Sequence, residues 1–212
     1  MQRDEAAGFP KSVFVNCPFD KDHDSLLKAL LYTVSTLGFM PRIATERADS
    51  GEQRVQKICE LIAECKYSIH DLSRIAASEA GEFYRLNMPF ELGVDYGSRR
   101  FGASPFDAKR FIILASTRYD YMRALSDLNG VDIEAHGDDP RTLIRKIRNW
   151  LCTAAAVANG PSPSAIWYDY ADFSAALYTR LKAQQFSDED IHELPVVEYL
   201  EYVHRWLTAR DQ

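Results

Sequence analysis

The chain has 212 residues, 46% hydrophobic and 26% charged, proportions that exclude a fibre or a disordered polymer and fit one globular domain with an extension. Its 25 basic and 31 acidic residues leave a net charge of -6, which gives no general attraction for nucleic acid or an anionic membrane. Cys17, Cys59, Cys65 and Cys152 lack CxxC spacing and a zinc-finger histidine, so reduced thiols and no metal site are expected. The opening MQRDEAAGFPK has no apolar signal region, and no stretch approaches the roughly 18 apolar residues of a membrane span. A cytoplasmic protein is the expectation.

Ser12 to Asn16 is the first expected strand, because Val13, Phe14 and Val15 form an apolar run too short for a helix. Asn16, Cys17 and Pro18 turn into a helix capped by Asp20 or Asp24, with Leu26, Leu27, Leu30, Leu31, Val34 and Leu37 at helical spacing as far as Gly38. Phe39 to Ala44 reads as a second strand. After the polar loop Thr45 to Gly51, Asp49 or Ser50 caps a helix with Val55, Ile58, Leu61 and Ile62 inward and Cys59 and Cys65 near that face. Tyr67 to Asp71 is the third strand. Asn87 to Tyr96 is the third helix, which admits Pro89 in its opening turn and stops at Gly97.

Arg110 to Ala115, RFIILA, is the strongest strand signal, and its unbroken apolarity predicts burial in a parallel sheet. A short helix over Tyr119 to Leu128, a fifth strand over Val131 to Ala135 and a helix over Pro140 to Val157 follow. Such alternation predicts an α/β fold, a doubly wound five-stranded parallel sheet with right-handed crossovers. Turn formers at Ala158 to Ser164 place a boundary between an α/β domain, 12–157, and a C-terminal helical extension, 164–212. The extension reads as helices over about Ser164 to Gln185 and Pro195 to Arg210, separated by an acidic turn at Ser187 to Asp190. Its aromatic residues, among them Trp167, Tyr170, Phe173, Tyr199 and Trp206, are expected to pack on the core or on a partner subunit.

Function is expected between Tyr67 and Gly97. Ligands of open α/β sheets sit beyond the carboxyl ends of the strands, where Asp71 ends a strand and Glu91 lies in the first turn of the following helix. Cleavage of an N-glycosidic bond passes through an oxocarbenium-like sugar, which a carboxylate at the anomeric carbon stabilises or attacks. Glu91 is the candidate for that role, and Asp71 with Ser73 is placed to hold ribose hydroxyls or assist the leaving base. Asn16, Cys17 and Phe19 face the same crevice from the first loop, Asn87 opens the helix that carries Glu91, and Arg42 and Arg47 offer guanidinium groups to a substrate phosphate. Each has a plainer alternative: Glu91 complements its own helix dipole, Asp71 caps backbone donors, Asn16 serves a tight turn, and the arginines form a solvated surface pair. His70 and Asp71, adjacent in a strand, point to opposite faces and form no dyad, and His136 lacks further ligands for a metal. No Walker A loop or GxGxxG is present.

The VFVNCPFD opening, the strand ending at Asp71 with Ser73 beyond it, and Glu91-Leu92-Gly93 in a helix together resemble the nucleoside 2-deoxyribosyltransferase group. The same element order is similar to the TIR and TIR-like domains of bacterial defence systems, which cleave NAD at the nicotinamide glycosidic bond. The likeness covers roughly 12–157; the long loop from Ile75 to Leu86 departs from the transferase pattern, and Pro89-Phe90 stands where TIR domains carry Trp-Cys. The resemblance implies a flavodoxin-like sheet, catalytic Glu91, NAD or another nucleotide as substrate with no cofactor, and a place in antiphage defence with a homo-oligomeric or defence-system partner. The alternative is a non-catalytic module of the same fold that senses a nucleotide signal or assembles with a partner.

Overall fold

The structure, a computed structural model, describes residues 8–75, 86–128 and 130–210. Five strands, β1 (Ser12–Asn16), β2 (Met40–Ile43), β3 (Tyr67–Asp71), β4 (Arg110–Ala115) and β5 (Ile133–Ala135), form one all-parallel sheet in the order β2-β1-β3-β4-β5. The chain steps one way from β1 to β2 and the other way through β3, β4 and β5, so the fold is α/β and doubly wound. That reversal puts the topological switch point between β1 and β3, where open sheets of this kind place ligands. Asn16 pairs in register with His70 at these two strand ends. Every residue of β1 and β3 is buried, as are the last four of β4; β1 and β4 are built on apolar runs, whereas β3 also buries Ser68, His70 and Asp71.

The helices are α1 (Asp24–Thr36), α2 (Arg54–Ala63), α3 (Asn87–Phe101), α4 (Pro140–Ala154), α5 (Pro163–Ala183), α6 (Asp188–His192) and α7 (Val196–Arg210). Two compact units result. One comprises Met1–Pro18 and Met40–Asp138, with all five strands, α2 and α3; the other comprises Phe19–Phe39 and Asp139–Gln212, with α1 and α4 to α7. The turn-rich stretch at 158–164 therefore lies inside the second unit.

In the first unit, α2 buries Ile58, Leu61 and Ile62 with Phe14 of β1, and α3 buries Met88 and Leu92 with Leu72, Ile113 and Ile133. In the second, Tyr32 of α1 stacks on Phe173 of α5 at 5.2 Å, and Phe173 meets Tyr199 and Trp206 of α7 edge-on. Tyr199 donates to the Lys28 carbonyl at 3.0 Å, so Phe173 and Tyr199 pack inward within their unit, while Tyr168 and Tyr178 are exposed.

Several local expectations are corrected. Helix α3 runs through Gly97 to Phe101 and ends at Gly102, whose N–H bonds the Ser98 carbonyl. The short helix expected over Tyr119 to Leu128 is two separate 3-10 helices, Asp120–Arg123 and Ser126–Leu128. The acidic segment after Ser187 is itself the short helix α6, because Ser187 and Asp190 close a reciprocal capping box. No side chain caps α1 or α2; Asp49 instead accepts the Gly51 N–H within its own loop. Cys59 is exposed, whereas Cys65 is buried and its thiol is pushed up to about 12 by burial. Residues 76–85 of the long loop lie outside the described residues. No helix among the described residues is long and apolar enough to cross a membrane.

Candidate functional site

Helix α3 presents Met88, Glu91, Leu92 and Asp95 to the sheet, the i, i+3, i+4, i+7 stripe of a helix with one buried face. Two of these four are acids. Glu91 is 3% exposed, and its Oε1 has no hydrogen-bond partner. Burial raises its carboxyl to about 7, against a smaller opposing pull from the positive Arg54 at the start of α2. Glu91 stands beyond the first turn of α3, which contains no acid, so complementing the helix dipole does not explain it.

Asn16, at the end of β1, donates through Nδ2 to the Met88 carbonyl at 2.9 Å, one turn before Glu91 on the same helix. The same amide nitrogen contacts His70 Nδ1 at 3.0 Å, and His70 Nε2 lies 3.0 Å from Asp95 Oδ2. Asp95 Oδ1 is 3.2 Å from the Lys109 ammonium, which also donates to the carbonyls of Ile62 and Cys65. Burial pushes the Asp95 carboxyl up, but the His70 hydrogen bond and the Lys109 charge outweigh it and hold it below the usual carboxylate range. All four side chains are almost wholly buried.

Asp71 has a different set of partners. Its Oδ1 accepts the Ser73 N–H at 2.9 Å and its Oδ2 lies 3.2 Å from His136 Nε2, which is also 3.1 Å from Ser73 Oγ. His136 Nδ1 accepts the Asp138 N–H at 3.1 Å, so the ring proton sits on Nε2, toward Asp71 and Ser73. Ser73 and Asp71 thus meet the same ring nitrogen, which differs from a Ser-His-Asp relay, where they occupy opposite nitrogens. Because His70 points toward α3, Asp71 beside it points to the other face of β3. The two carboxylates expected to share one cleft take separate partners, and no hydrogen bond joins them among the described residues.

The remaining candidates divide similarly. Cys17 is buried, Asn87 is the exposed first residue of α3, and Phe19 is exposed and belongs to the second unit. The guanidinium groups of Arg42 and Arg47, candidates for a substrate phosphate, are already matched by carboxylates. Arg42 pairs with Glu46 and Glu64, each at 2.7 Å, and Arg47 pairs with Glu52 and with Glu60 at 2.7 Å. Arg54, near Glu91, makes no hydrogen bond or ion pair among the described residues. No group of His, Cys, Asp and Glu among those residues is arranged to hold a metal ion.

Sequence reasoning missed the participation of Asp95, Lys109 and His136. A signal for Asp95 existed: it occupies the apolar stripe of α3, where a carboxylate requires a buried partner. His136 carried none, since only the fold brings it to Asp71. Comparison with protein-family models and with curated proteins gives no match for this chain.

Proposed function

We propose that the first unit binds a nucleotide at the C-terminal ends of β1 and β3 and cleaves its N-glycosidic bond, with Glu91 acting at the anomeric carbon. The observation that carries this reading is the buried Glu91 carboxyl with an orphaned Oε1, on the helix whose Met88 is bonded by Asn16 at the switch point. A buried carboxylate without a partner is unfavourable for folding, and substrate is the partner that would explain it. With NAD, water adds to the anomeric carbon, the bonding pair leaves with nicotinamide, and the water releases its proton, giving ADP-ribose. Ionised Glu91 stabilises the positive charge that develops on the sugar, and Asp71, Ser73 and His136 form a second polar group for hydroxyls or leaving base.

The test is incubation of the purified protein with NAD and a panel of nucleosides, followed by chromatography. Base release is expected, Glu91→Gln should lower kcat by about 100-fold or more, and kcat/KM should rise as pH passes through about 7, where Glu91 ionises. No product from any substrate at high enzyme concentration would remove the enzymatic reading. The separation of Asp71 from Glu91 favours a second one, a module that holds a nucleotide without cutting it. For such a module Glu91→Gln changes affinity alone.

A further inference from the structure

Asn16, 1% exposed, carries another of the first unit's buried atoms that has no hydrogen-bond partner, its Oδ1. Its orientation follows from Met88. A main-chain carbonyl can only accept, so the Asn16 atom 2.9 Å from the Met88 carbonyl is the amide nitrogen. Its other hydrogen then points to His70 Nδ1, which must be bare, and the ring proton resides on Nε2 and goes to Asp95. Asp95 cannot release that proton's position, because its other oxygen is held by Lys109, itself fixed by two carbonyls at the end of α2. Phe14 and Phe111 meet the His70 ring edge-on from two sides, each with centroids 6.0 Å away, and hold its plane. Every donor of this ladder is used, and the acceptor left over is Asn16 Oδ1.

We infer that Asn16 Oδ1 is a ligand contact that accepts a hydrogen bond from a sugar hydroxyl, and that His70, Asp95 and Lys109 are positioning residues that keep this oxygen presented. The inference rests on the reading that a nucleotide occupies the switch point, and it adds the group recognised there: a hydroxyl donor, met by the side chain that ties the end of β1 to Met88 of α3. A ligand offering only acceptors at this point, such as an unprotonated phosphate oxygen, would meet Asn16 Oδ1 with repulsion.

The probe is ADP-ribose, titrated calorimetrically into the full chain, with NAD cleavage followed on the same preparations. Asn16→Leu is expected to weaken ADP-ribose binding at least tenfold and to raise KM for NAD more than it lowers kcat. His70→Leu, which touches no ligand, should weaken binding in the same direction. In case these variants fold poorly, nitrogen-15 spectra of the wild-type histidines provide an independent readout, with His70 showing a bare Nδ1 and a protonated Nε2. Unchanged binding in a folded Asn16→Leu, a His70 protonated on Nδ1, or a wild type that binds no ADP-ribose would each overturn the inference. If Glu91→Gln abolishes cleavage while Asn16→Leu binds and cleaves normally, the inference fails and the catalytic reading stands. If Asn16 governs binding and nothing is cleaved, the catalytic reading fails instead.

Discussion

Glu91 sets its own stability signature. Its carboxyl titrates near 7 in the folded chain, because burial disfavours the charge, and near 4.5 once unfolded. Between these values the folded state holds a proton that the unfolded state has released. The stabilisation from that proton is therefore full below about pH 4.5 and is lost as pH rises through 7. Glu91→Gln removes the titration while keeping the shape, so above pH 7 the variant should be more stable than wild type, by up to about 3 kcal/mol. Below pH 4.5 the two should converge. Thermal melts at pH 4.5 and pH 8 check this, and a variant less stable than wild type at pH 8 would show that the carboxylate has a partner in the fold. The place of Glu91 on a helix after β3 was legible from the strand-loop-helix order. Its isolation was not, because sequence spacing puts a side chain on a helical face without saying which atoms await it there.

Helix α3 carries the buried acids Glu91 and Asp95, and its length depends on two glycines with opposite roles. In the sequence Gly97 reads as a stop, since glycine costs a helix about 1 kcal/mol relative to alanine and often ends one. Neighbouring residues outweigh that penalty: Asp95 and Ser98 are engaged on either side, and the chain stays helical to Phe101. A Cβ at Gly97 would meet nothing within 4 Å, whereas one at Gly102 would collide with the Ser98 carbonyl and crowd Phe106. Gly97→Ala should thus stabilise the protein by roughly 0.5–1 kcal/mol, and Gly102→Ala should destabilise it. Chemical denaturation of both variants tests the pair, and a loss of stability in Gly97→Ala would mean that the glycine is needed for closer packing. The strands were easier to read than the helix ends. Apolar runs such as Phe111 to Leu114 fix a buried strand whatever surrounds them, while a helix terminus depends on caps and tertiary bonds that only coordinates reveal.

At the scale of the chain, the alternation of strands and helices revealed the doubly wound sheet, but it could not reveal how the helices group. Turn residues at 158–164 suggest that the last helices form an appendage, because a linker-like composition is visible locally and packing is not. The second unit instead draws α1 from between β1 and β2 and joins it to α4, α5 and α7. Tyr32 of α1 stacks on Phe173, Tyr199 bonds the Lys28 carbonyl, and Phe173, Leu181, Tyr199 and Val203 are buried. Each such side chain contributes about 1.5–3 kcal/mol on burial, so their joint removal is comparable to the roughly 5–15 kcal/mol margin of a typical domain, and the partners on α1 are uncovered as well. A chain truncated after Val157, which keeps the whole sheet, is therefore expected to expose the aromatic face of α1, to appear in the insoluble fraction and to lose a cooperative thermal transition. A soluble truncated protein melting within a few degrees of the full chain would show that α5 to α7 contribute little to the fold. In that case α1 would have to hold its place through contacts other than Tyr32, Phe173 and Tyr199.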